Sequence, residues 1–496
     1  MEKDDGKRTE EGLQRQPRKK LKTAPQKQQK TPRELRFDSF ADSMDRSSSE
    51  SSEDEEEATP AVVPATEGLP PPPKRKRKFK PLLIPLSRTL TCPDMVRVDR
   101  CNRVPEYGPE ILFFSGGSAL RDLSGVLKDY THNSIHLITP FDSGGSTAEI
   151  RRAFPISAVG DLRNRLIALS DQSALGNPAV INFFSMRLNE DSTKAHAEFE
   201  SILQGKEPLV KAVKMPMRSL LRRHLQWFSN RMPTDFNLCG ASIGNLIITG
   251  CWLEHDKDIV AALYILWNLL GVKGKVRPIT GAHLHLRTQY DNGDEDVGQH
   301  LMGKRKPPQK IKSIDLVKSL EDGTTTTRQE TKLCHLDFVS SELIASCDLV
   351  VFPMGSFFGS MLANLLPVGV GKAIHRCQAP KIYIPNTGVD PEMHGYTLSE
   401  LITCIVSMVE DDLPRGVKEE DKPPEDDTVD PSDIVNFVLV DTENCHYCVP
   451  IDKEVIEAMG IVVMDMPLVN LEAAKHSKSP TIDPTKLAQV LLTLGS

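Results

Sequence analysis

The sequence lacks a long apolar run, a disulfide framework and a net positive charge. No apolar stretch approaches the roughly 20 residues of a membrane span, so we expect no membrane association. Ten cysteines are scattered along 496 residues, a usage typical of reduced thiols inside cells. The net charge of −7 argues against a specific nucleic-acid partner. The acidic start, Met1–Asp5, has no apolar core and resembles neither a secretory signal nor a transit peptide. These absences predict a cytoplasmic protein.

Residues 1–104 are expected to form a disordered, charged tail and linker, because few apolar residues offset the entropy of ordering. Basic clusters at Arg18–Lys22 and Lys74–Lys78 flank a serine-rich, acidic block at 47–57. The basic clusters are either nuclear import signals, which would give an import factor as partner and a nuclear pool, or a solvated tail. The serines beside acids suit an acid-directed kinase.

Strands alternate with short helices from about residue 105 onward. This order predicts an α/β fold, a Rossmann-like, mainly parallel sheet with helices on both faces. We expect one domain at 105–480, with polar inserted loops near 291–332 and 411–431, and a C-terminal tail at 481–496. The sequence is compatible with a homo-oligomer and does not decide it.

Two glycine turns follow two of the predicted strands. The strand Ile111–Phe114 leads into Ser115-Gly116-Gly117-Ser118, and the strand Ile135–Thr139 leads into Phe141-Asp142-Ser143-Gly144-Gly145-Ser146. Glycine lets backbone N–H groups approach a ligand, and the following helix N-terminus favours negative charge. The turns therefore predict binding of phosphates, most simply those of a nucleotide.

Further candidate residues follow two later predicted strands. Gly355 and Ser356 come after Phe352, and Asn386 comes after Ile384. Ligands of open α/β sheets bind outside the carboxyl ends of the strands. Four small or polar loops at one sheet edge therefore predict a single site.

Two acids have both a chemical and a structural interpretation. Asp142 can accept a ribose hydroxyl or bind Mg²⁺ that bridges phosphates, or it can cap the helix that begins near Ser146. Asp161 opens a further predicted helix, and N-capping is its alternative role. Arg163 can supply positive charge to a developing phosphate anion.

Several common motifs are missing. The first turn does not have the GxGxxG order, and Gly369-Val370-Gly371-Lys372 lacks the spacing and the hydroxyl residue of a Walker loop. Cys445-His446-Tyr447-Cys448 has no second ligand pair, so we assign no zinc site. His283 and His285 share a strand face and receive no role from the sequence.

The motifs in order resemble the CofD/YvcK family, which contains 2-phospho-L-lactate transferase and the gluconeogenesis factor YvcK. The resemblance covers about 105–470 and excludes the tail. It rests on the following segments: Phe114–Leu120, Phe141–Thr147, Gly160–Asn164, Gly240–Leu246, Gly271–Val276, Met354–Ser360 with Asn364–Leu366, and Pro385-Asn386 with Gly395-Tyr396.

The resemblance implies a nucleotide-diphosphate site with Mg²⁺ on a Rossmann-like fold. The implied catalytic residues are Asp142, which also binds the metal, Asp161 and Arg163. The implied nucleotide and phosphate ligands are Gly116, Gly117, Ser118, Gly144, Gly145, Asn164, Asn245, Gly355, Ser356 and Asn386. In the transferase branch a phospholactyl group moves from a guanosine-linked donor to a deazaflavin acceptor. In the YvcK branch the ligand is a UDP-sugar and no reaction is established.

Both branches stay open at the level of the sequence. The family often has two adjacent acids where this chain has Asp142-Ser143, its Gly-Pro-Gly-Ser turn is Pro353-Met354-Gly355-Ser356 here, and a common Tyr is Phe358. Asp142 and Asp161 favour a transferase of phosphorus-containing groups, whereas the charged tail favours a regulator that binds a UDP-sugar without turnover.

Overall fold

The structure is a computed structural model that describes residues 89, 91–173, 176–319, 325–329, 334–413, 429–470 and 481–495. The basic clusters, the acidic serine block and residues 414–428 of the predicted loop at 411–431 lie outside the described residues.

The described strands and helices alternate along much of the chain. The strands are β1 (Ile111–Ser115), β2 (Ile135–Ile138), β3 (Lys275–Pro278), β4 (His285–Tyr290), β5 (Glu295–Val297), β6 (Ile311–Ser319), β7 (Thr325–Gln329), β8 (Leu349–Phe352), β9 (Lys381–Tyr383), β10 (Phe437–Val440) and β11 (Val462–Asp465). The helices are α1 (Met95–Arg103), α2 (Arg121–Leu127), α3 (Gly145–Ala153), α4 (Gly160–Leu169), α5 (Pro178–Ser185), α6 (Ser192–Leu203), α7 (Pro208–Ala212), α8 (Met217–Ser229), α9 (Ile243–Glu254), α10 (Ile259–Leu270), α11 (Phe338–Ser346), α12 (Val370–Arg376), α13 (Leu398–Glu410), α14 (Pro431–Ile434), α15 (Lys453–Ala458) and α16 (Pro484–Leu494).

Seven strands form a parallel sheet in the order β11-β10-β9-β8-β1-β2-β3. The central strand β1 pairs Leu112 with Ile135 of β2 on one side and with Val350 of β8 on the other. All five residues of β1 are buried, which is typical of a strand covered on both faces. The predicted Rossmann-like parallel sheet is confirmed.

Alternate side chains of the sheet enter different cores. Phe113 and Val351 pack with apolar residues of α1, α2 and α16 on one face. Phe114 and Phe352 point to the opposite face, where their rings stack 5.7 Å apart within a core that includes α12, α13 and β4. A third apolar cluster contains residues of helices α3 to α10, which pack there against strands β2 and β3 at one side of the sheet. Helices therefore cover both faces, as predicted.

A second sheet occupies most of the predicted inserted loop at 291–332. Four antiparallel strands pair in the order β5-β4-β6-β7. The segment from residue 291 was interpreted as a loop because it is polar. In β4, just before it, Leu286, Thr288 and Tyr290 are buried while their neighbours are partly exposed. Only one face of this sheet enters the core, which leaves the other face polar.

The two ends of the described chain pack together instead of extending as tails. Helix α1 lies within the predicted linker at 1–104, and α16 lies within the predicted tail at 481–496. The Arg97 guanidinium donates to the Gly495 carbonyl at 2.7 Å, and the Asp94 N–H donates to Thr493 Oγ1 at 2.9 Å. Leu487 and Leu491 of α16 are fully buried. A helix this short depends on tertiary packing for its stability, which is why the sequence analysis interpreted the segment as a tail.

Local signals explain why individual helices begin and end where they do. The Asp258 carboxylate accepts from the N–H groups of Val260 and Ala261 at the start of α10. Gly271 ends the same helix with φ of +60°, a conformation that favours glycine. Among the described residues, no helix is both long and apolar enough to cross a bilayer.

Candidate functional site

The candidate site lies where the strand order reverses. The chain leaves β1 toward β2 and β3 and later returns to β8 on the other side of β1. Such a switch point opens a crevice between two neighbouring loops at the carboxyl ends of the strands. The crevice is lined by Ser115–Leu120 and by Met354, Gly355, Ser356 and Ser360. The structure thus brings the first glycine turn and the loop after β8 together.

At two positions of the first glycine turn, neighbouring atoms lie so close that a side chain would overlap them. A Cβ on Gly117 would lie 2.1 Å from Asp161 Oδ1 and 2.8 Å from the Asp161 Cα. A Cβ on Gly116 would lie 2.7 Å from Ser360 Oγ. A larger residue at position 117 would require movement of the backbone of α4, and one at position 116 would require movement of the Ser360 side chain. The turn therefore holds its N–H groups directly against the first turn of α4.

The carboxylates of Asp142 and Asp161 both lie near the start of α4. Asp142 Oδ1 accepts from the Gly144 N–H at 2.9 Å, and Oδ2 lies 3.2 Å from the position of a Cβ on Gly160. Burial, followed by the charge of Asp142, raises the pKa of Asp161 to about 6, although Arg165 and a Gly117 hydrogen bond act in the opposite direction. The Asp142 side chain therefore stabilises its own loop with one oxygen and leaves the other beside Asp161.

A buried arginine that the sequence analysis missed supports the first glycine turn. The Arg165 guanidinium is fully buried and donates to the carbonyls of Leu120 and Gly116 at 2.9 and 3.1 Å, and to Ser124 Oγ. Burial lowers its pKa to about 10, and Asp161 counteracts this shift. Arg165 lies two residues after Arg163 in α4. The local sequence does not distinguish an arginine that could bind a ligand from one that supports the backbone of a loop.

Arg163 and Asn164 are engaged with each other and with the start of α9. The Arg163 guanidinium donates to Ser242 Oγ and, at 2.7 Å, to Asn164 Oδ1. Its Cδ lies 2.8 Å from the position of a Cβ on Gly244. In the next turn, Asn245 Nδ2 donates to Ser146 Oγ at 3.1 Å. Two sets of hydrogen bonds, one between α4 and the start of α9 and one between α9 and α3, therefore hold these three helices together.

The loop after β8 is held by residues of the loop after β9. Gly355, with φ of +140°, exchanges two hydrogen bonds with Asn386: its N–H donates to Oδ1 at 2.7 Å and its carbonyl accepts from Nδ2 at 2.6 Å. Asn386 Nδ2 also donates to Asp390 Oδ2 at 3.0 Å. Asn386 therefore shapes the crevice through the backbone of Gly355.

Carboxylates of the chain occupy the start of the π-helical turn Phe357–Met361. Glu392 Oε2 accepts from the N–H groups of Phe358 and Gly359 at 2.9 and 2.7 Å, and Asp390 Oδ2 accepts from the Phe357 N–H at 3.0 Å. Burial, followed by the charge of Asp390, raises the pKa of Glu392 to about 7. These N–H groups are bonded within the chain itself and are not available to a ligand.

The second sheet contributes a segment to the site. Within Gly298–Leu301, Gln299 Nε2 donates to the Gly359 carbonyl at 2.6 Å. His300 Nδ1 lies 2.7 Å from Ser143 Oγ, and the His300 N–H donates to the same oxygen at 3.3 Å. Gln299 and His300 thereby link the loops after β8 and β2. They were not predicted because they lie within the segment interpreted as an inserted loop.

The predicted site residues therefore all lie at one edge of the parallel sheet. The residues at the crevice itself are Gly116, Gly117, Ser118, Gly355 and Ser356. The residues around the Asp142 loop are Asp161, Arg163, Asn164, Asn245, Gly144 and Gly145, with Gly144 at the N-cap of α3. Within the described part of the chain, no group of three or more His, Cys, Asp or Glu side chains has the arrangement of a metal site.

The fold and this edge define an α/β protein with a parallel, doubly covered sheet and a glycine-lined crevice at its switch point. The sequence model of the family described as 2-phospho-L-lactate transferase CofD matches residues 111–469. The chain belongs to the CofD family.

The chain is similar to bacterial proteins named gluconeogenesis factor. The chain is 27% identical to the gluconeogenesis factor of Halalkalibacterium halodurans over 312 residues, which are 62% of this chain and 77% of that protein. It is 26% identical to the gluconeogenesis factor of Bacillus subtilis over 298 residues, 60% of this chain and 74% of that protein. A crystal structure of a UPF0052 family member from Bacillus halodurans shares the fold, with a TM-score of 0.54 at 22% identity over 77% of this chain and 99% of that chain.

Proposed function

We propose that this chain binds a nucleotide-diphosphate-linked ligand with Mg²⁺ and transfers a phosphoester group from it to an acceptor, in the manner of 2-phospho-L-lactate transferase. The observation that carries the proposal is the pair Asp142 and Asp161 beside the glycine crevice: the Asp161 carboxylate packs against Gly117, and the charge of Asp142 acts on it and contributes to its raised pKa. Two carboxylates in a poorly solvated space repel each other unless a cation or a proton lies between them.

The residues present fit a magnesium ion bound mainly by its ligand. Mg²⁺ prefers oxygen donors and usually takes one or two protein carboxylates together with phosphates and waters. Asp142 and Asp161 would provide such a donor set. When bound, the ion would neutralise charge on the phosphates.

The other residues would bind and orient the phosphates. The Gly116–Ser118 turn and Ser356 line the crevice, where backbone N–H groups other than that of Gly117, which bonds Asp161, would donate to the phosphates, and Arg165 fixes the turn through its carbonyls. Donors that are fixed in advance stabilise developing negative charge without reorganising.

One observation favours a second candidate, a UDP-sugar-binding regulator without turnover. Ser143 stands at the position where the family often has a second acid, and its hydroxyl is bonded to His300. A loop with a single carboxylate binds a cation less firmly than a loop with two. The relatives named gluconeogenesis factor support the same alternative.

A thermal-shift titration with GDP, GTP, UDP and UDP-sugars, with and without MgCl₂, tests the proposal. Asp142→Asn is the variant of choice because an amide oxygen can still accept from the Gly144 N–H while the charge is lost. The exposed Asp129 provides the matched control, Asp129→Asn. A ligand at 100 times its Kd stabilises the wild type by about 2.7 kcal/mol.

The two candidates predict different patterns. The transferase predicts stabilisation by a nucleotide that requires Mg²⁺ and is lost in Asp142→Asn but kept in Asp129→Asn. The regulator predicts stabilisation by a UDP-sugar that is the same without Mg²⁺ and in Asp142→Asn. If no nucleotide stabilises the wild type, both candidates are wrong.

A further inference from the structure

A cavity of about 630 Å³ lies among the described residues and has no role in the functions proposed above. Gly303–Lys306 and Pro308, from the segment between β5 and β6, form one wall. Residues of Val389–His394, from the loop after β9, form a second wall, and Cys448 completes the lining. None of these residues lines the glycine crevice. The volume lies in the range of roughly 300–1,000 Å³ that is typical of small-molecule sites.

The two walls of the cavity meet at Gly303 and Pro391. The backbone of Gly303 has φ of +68°, and a Cβ at this position would lie 2.9 Å from the Pro391 Cβ. A larger residue would therefore push the two walls apart. The cavity is thus formed by segments that pack directly against each other.

The lining of the cavity exposes apolar surface. The Val389 side chain is 89% exposed, and Pro308 and Pro391 are also exposed. Single exposed apolar residues are normal on a protein surface, but these three line one concavity. A molecule with an apolar part would remove this surface from water, which is favourable.

Two lysines give the cavity positive charge that the protein does not neutralise. Lys304 and Lys306 are exposed, and neither forms an ion pair with another described residue. Arg305, which lies between them, is already bonded to Asp294 and Asp296. The two ammonium groups are therefore available to an anion.

The one acid of the lining does not balance this charge. Asp390 is buried, and its Oδ1 accepts from the Glu392 N–H at 3.0 Å. Its Oδ2 accepts from the Phe357 N–H and from Asn386 Nδ2, each at 3.0 Å. The carboxylate of Asp390 is thus used inside the fold, and the cavity favours an anionic ligand.

The bonds of Asp390 connect the cavity wall to the loop after β8. Phe357 follows that loop directly, and Asn386 exchanges two hydrogen bonds with Gly355 within it. A molecule that packs on the chain neighbours of Asp390 therefore restrains the segment that fixes one side of the crevice.

We propose that this cavity binds a small amphiphilic anion and that its occupancy stabilises the loop after β8. The apolar part of the ligand packs on Val389 and Pro391. Its acidic group accepts hydrogen bonds from Lys304 and Lys306, as carboxylates and phosphates do from ammonium groups. The ligand class is a carboxylate or phosphate monoester of an alkyl or aromatic group. Binding needs no nucleotide, so the inference goes beyond the proposed function and is tested independently of it.

A fluorescence titration with 8-anilinonaphthalene-1-sulfonate tests the binding, because this probe joins an aromatic body to an anionic group. The wild type should bind the probe saturably, and octanoate and octyl phosphate should displace it. The more effective of these two competitors identifies the preferred acidic group. Octanol and inorganic phosphate each carry only one part of the required chemistry, and they should displace the probe about tenfold less effectively.

The double variant Lys304→Gln/Lys306→Gln should raise the Kd of the probe about tenfold, since it removes two charged donors. The matched control is Lys211→Gln/Lys214→Gln, which changes two exposed lysines elsewhere and should bind as the wild type does. Val389→Asp, also at an exposed position, should weaken binding while both lysines remain. The proposal is overturned if the wild type does not bind the probe saturably, if the Lys304→Gln/Lys306→Gln variant binds it as tightly as the wild type, or if octanol competes as well as octyl phosphate.

Amide hydrogen exchange tests the effect on the loop after β8. Saturating octyl phosphate should slow exchange at 355–359 several-fold in the wild type and in the Lys211→Gln/Lys214→Gln control. The same concentration should have little effect on the Lys304→Gln/Lys306→Gln variant. Tight binding to the wild type without slower exchange at 355–359 would show that the cavity is not coupled to the crevice loop.

Discussion

At the scale of single residues, two glycines let the backbone of the site lie in close contact with carboxylate side chains. Gly117 allows the first turn to lie against Asp161, and Gly359 allows Glu392 to reach the π-helical turn. In each case the absence of a Cβ permits a contact that a larger residue would block. The roles of these glycines are therefore steric and can be tested by adding one methyl group.

Gly117→Ala should abolish nucleotide-induced stabilisation and lower the free energy of unfolding by about 1–3 kcal/mol, because the new Cβ would overlap the Asp161 side chain and backbone. Urea unfolding with and without ligand measures both effects. The control is Gly125→Ala in α2, where a Cβ would meet no atom within 4 Å. That substitution should stabilise the helix by about 0.5–1 kcal/mol, and a neutral result for Gly117→Ala would contradict the steric role.

Glu392 predicts a pH dependence of stability. Its raised pKa, about 7 against an ordinary value of 4.5, means that the folded protein binds a proton more tightly than the unfolded chain. Its contribution is therefore fully present below pH 4.5 and is lost as the pH rises toward 7. Glu392→Gln removes this loss, so its stability relative to the wild type should improve by about 1–3 kcal/mol between pH 5 and pH 8.

Urea midpoints of both proteins across that pH range measure this difference. Glu443→Gln, at an exposed position, should show no comparable change. A constant difference between Glu392→Gln and the wild type would show that the Glu392 carboxyl is already ionised at pH 5.

At the scale of elements, two segments of the chain pack against residues that are distant from them in the sequence. The Gly298–Leu301 segment joins the second sheet to the site through Gln299 and His300. Helix α16 packs on α1 and α2 and covers one face of the central strands. The sequence did not indicate either feature, because each depends on contacts with residues that are distant along the chain.

His300→Ala should loosen the segment without unfolding the protein, since it removes one partly exposed link to Ser143. Amide hydrogen exchange should become several-fold faster at 142–145 and 298–301, while the free energy of unfolding changes by less than about 1 kcal/mol. His196→Ala, on the exposed side of α6, should change neither. Unaltered exchange at 142–145 would mean that the hydrogen bond does not hold the Asp142 loop.

Leu491→Ala in α16 should cost about 2–5 kcal/mol of stability, because the side chain is fully buried among α1, α2 and the sheet. Gln489→Ala, on the partly exposed side of the same helix, should stay within about 0.5 kcal/mol. Equal, small effects of both variants in chemical denaturation would show that α16 is not part of the cooperative core.

At the scale of the whole molecule, strand order explains why the sequence predicted the site better than its surroundings. Apolar runs such as Ile111–Phe114 and Leu349–Phe352 identify buried parallel strands, and the loops that follow such strands must share one edge. That reasoning found the glycines and Asp142 without coordinates. It could not find Arg165 or Glu392, because their partners, the carbonyl of Gly116 and the N–H of Phe358, are backbone atoms with no sequence signature.

The contact between α1 and α16 makes this chain suitable for circular permutation. Since Arg97 bonds Gly495 and Asp94 bonds Thr493, residues 94–97 and 493–495 are neighbours, and a short linker can join them. The exposed turn at Asn292 and Gly293, where a Cβ on Gly293 would meet nothing within 4 Å, offers a place to reopen the chain. A circular permutant of this kind would keep the parallel sheet while moving the new termini to the second sheet.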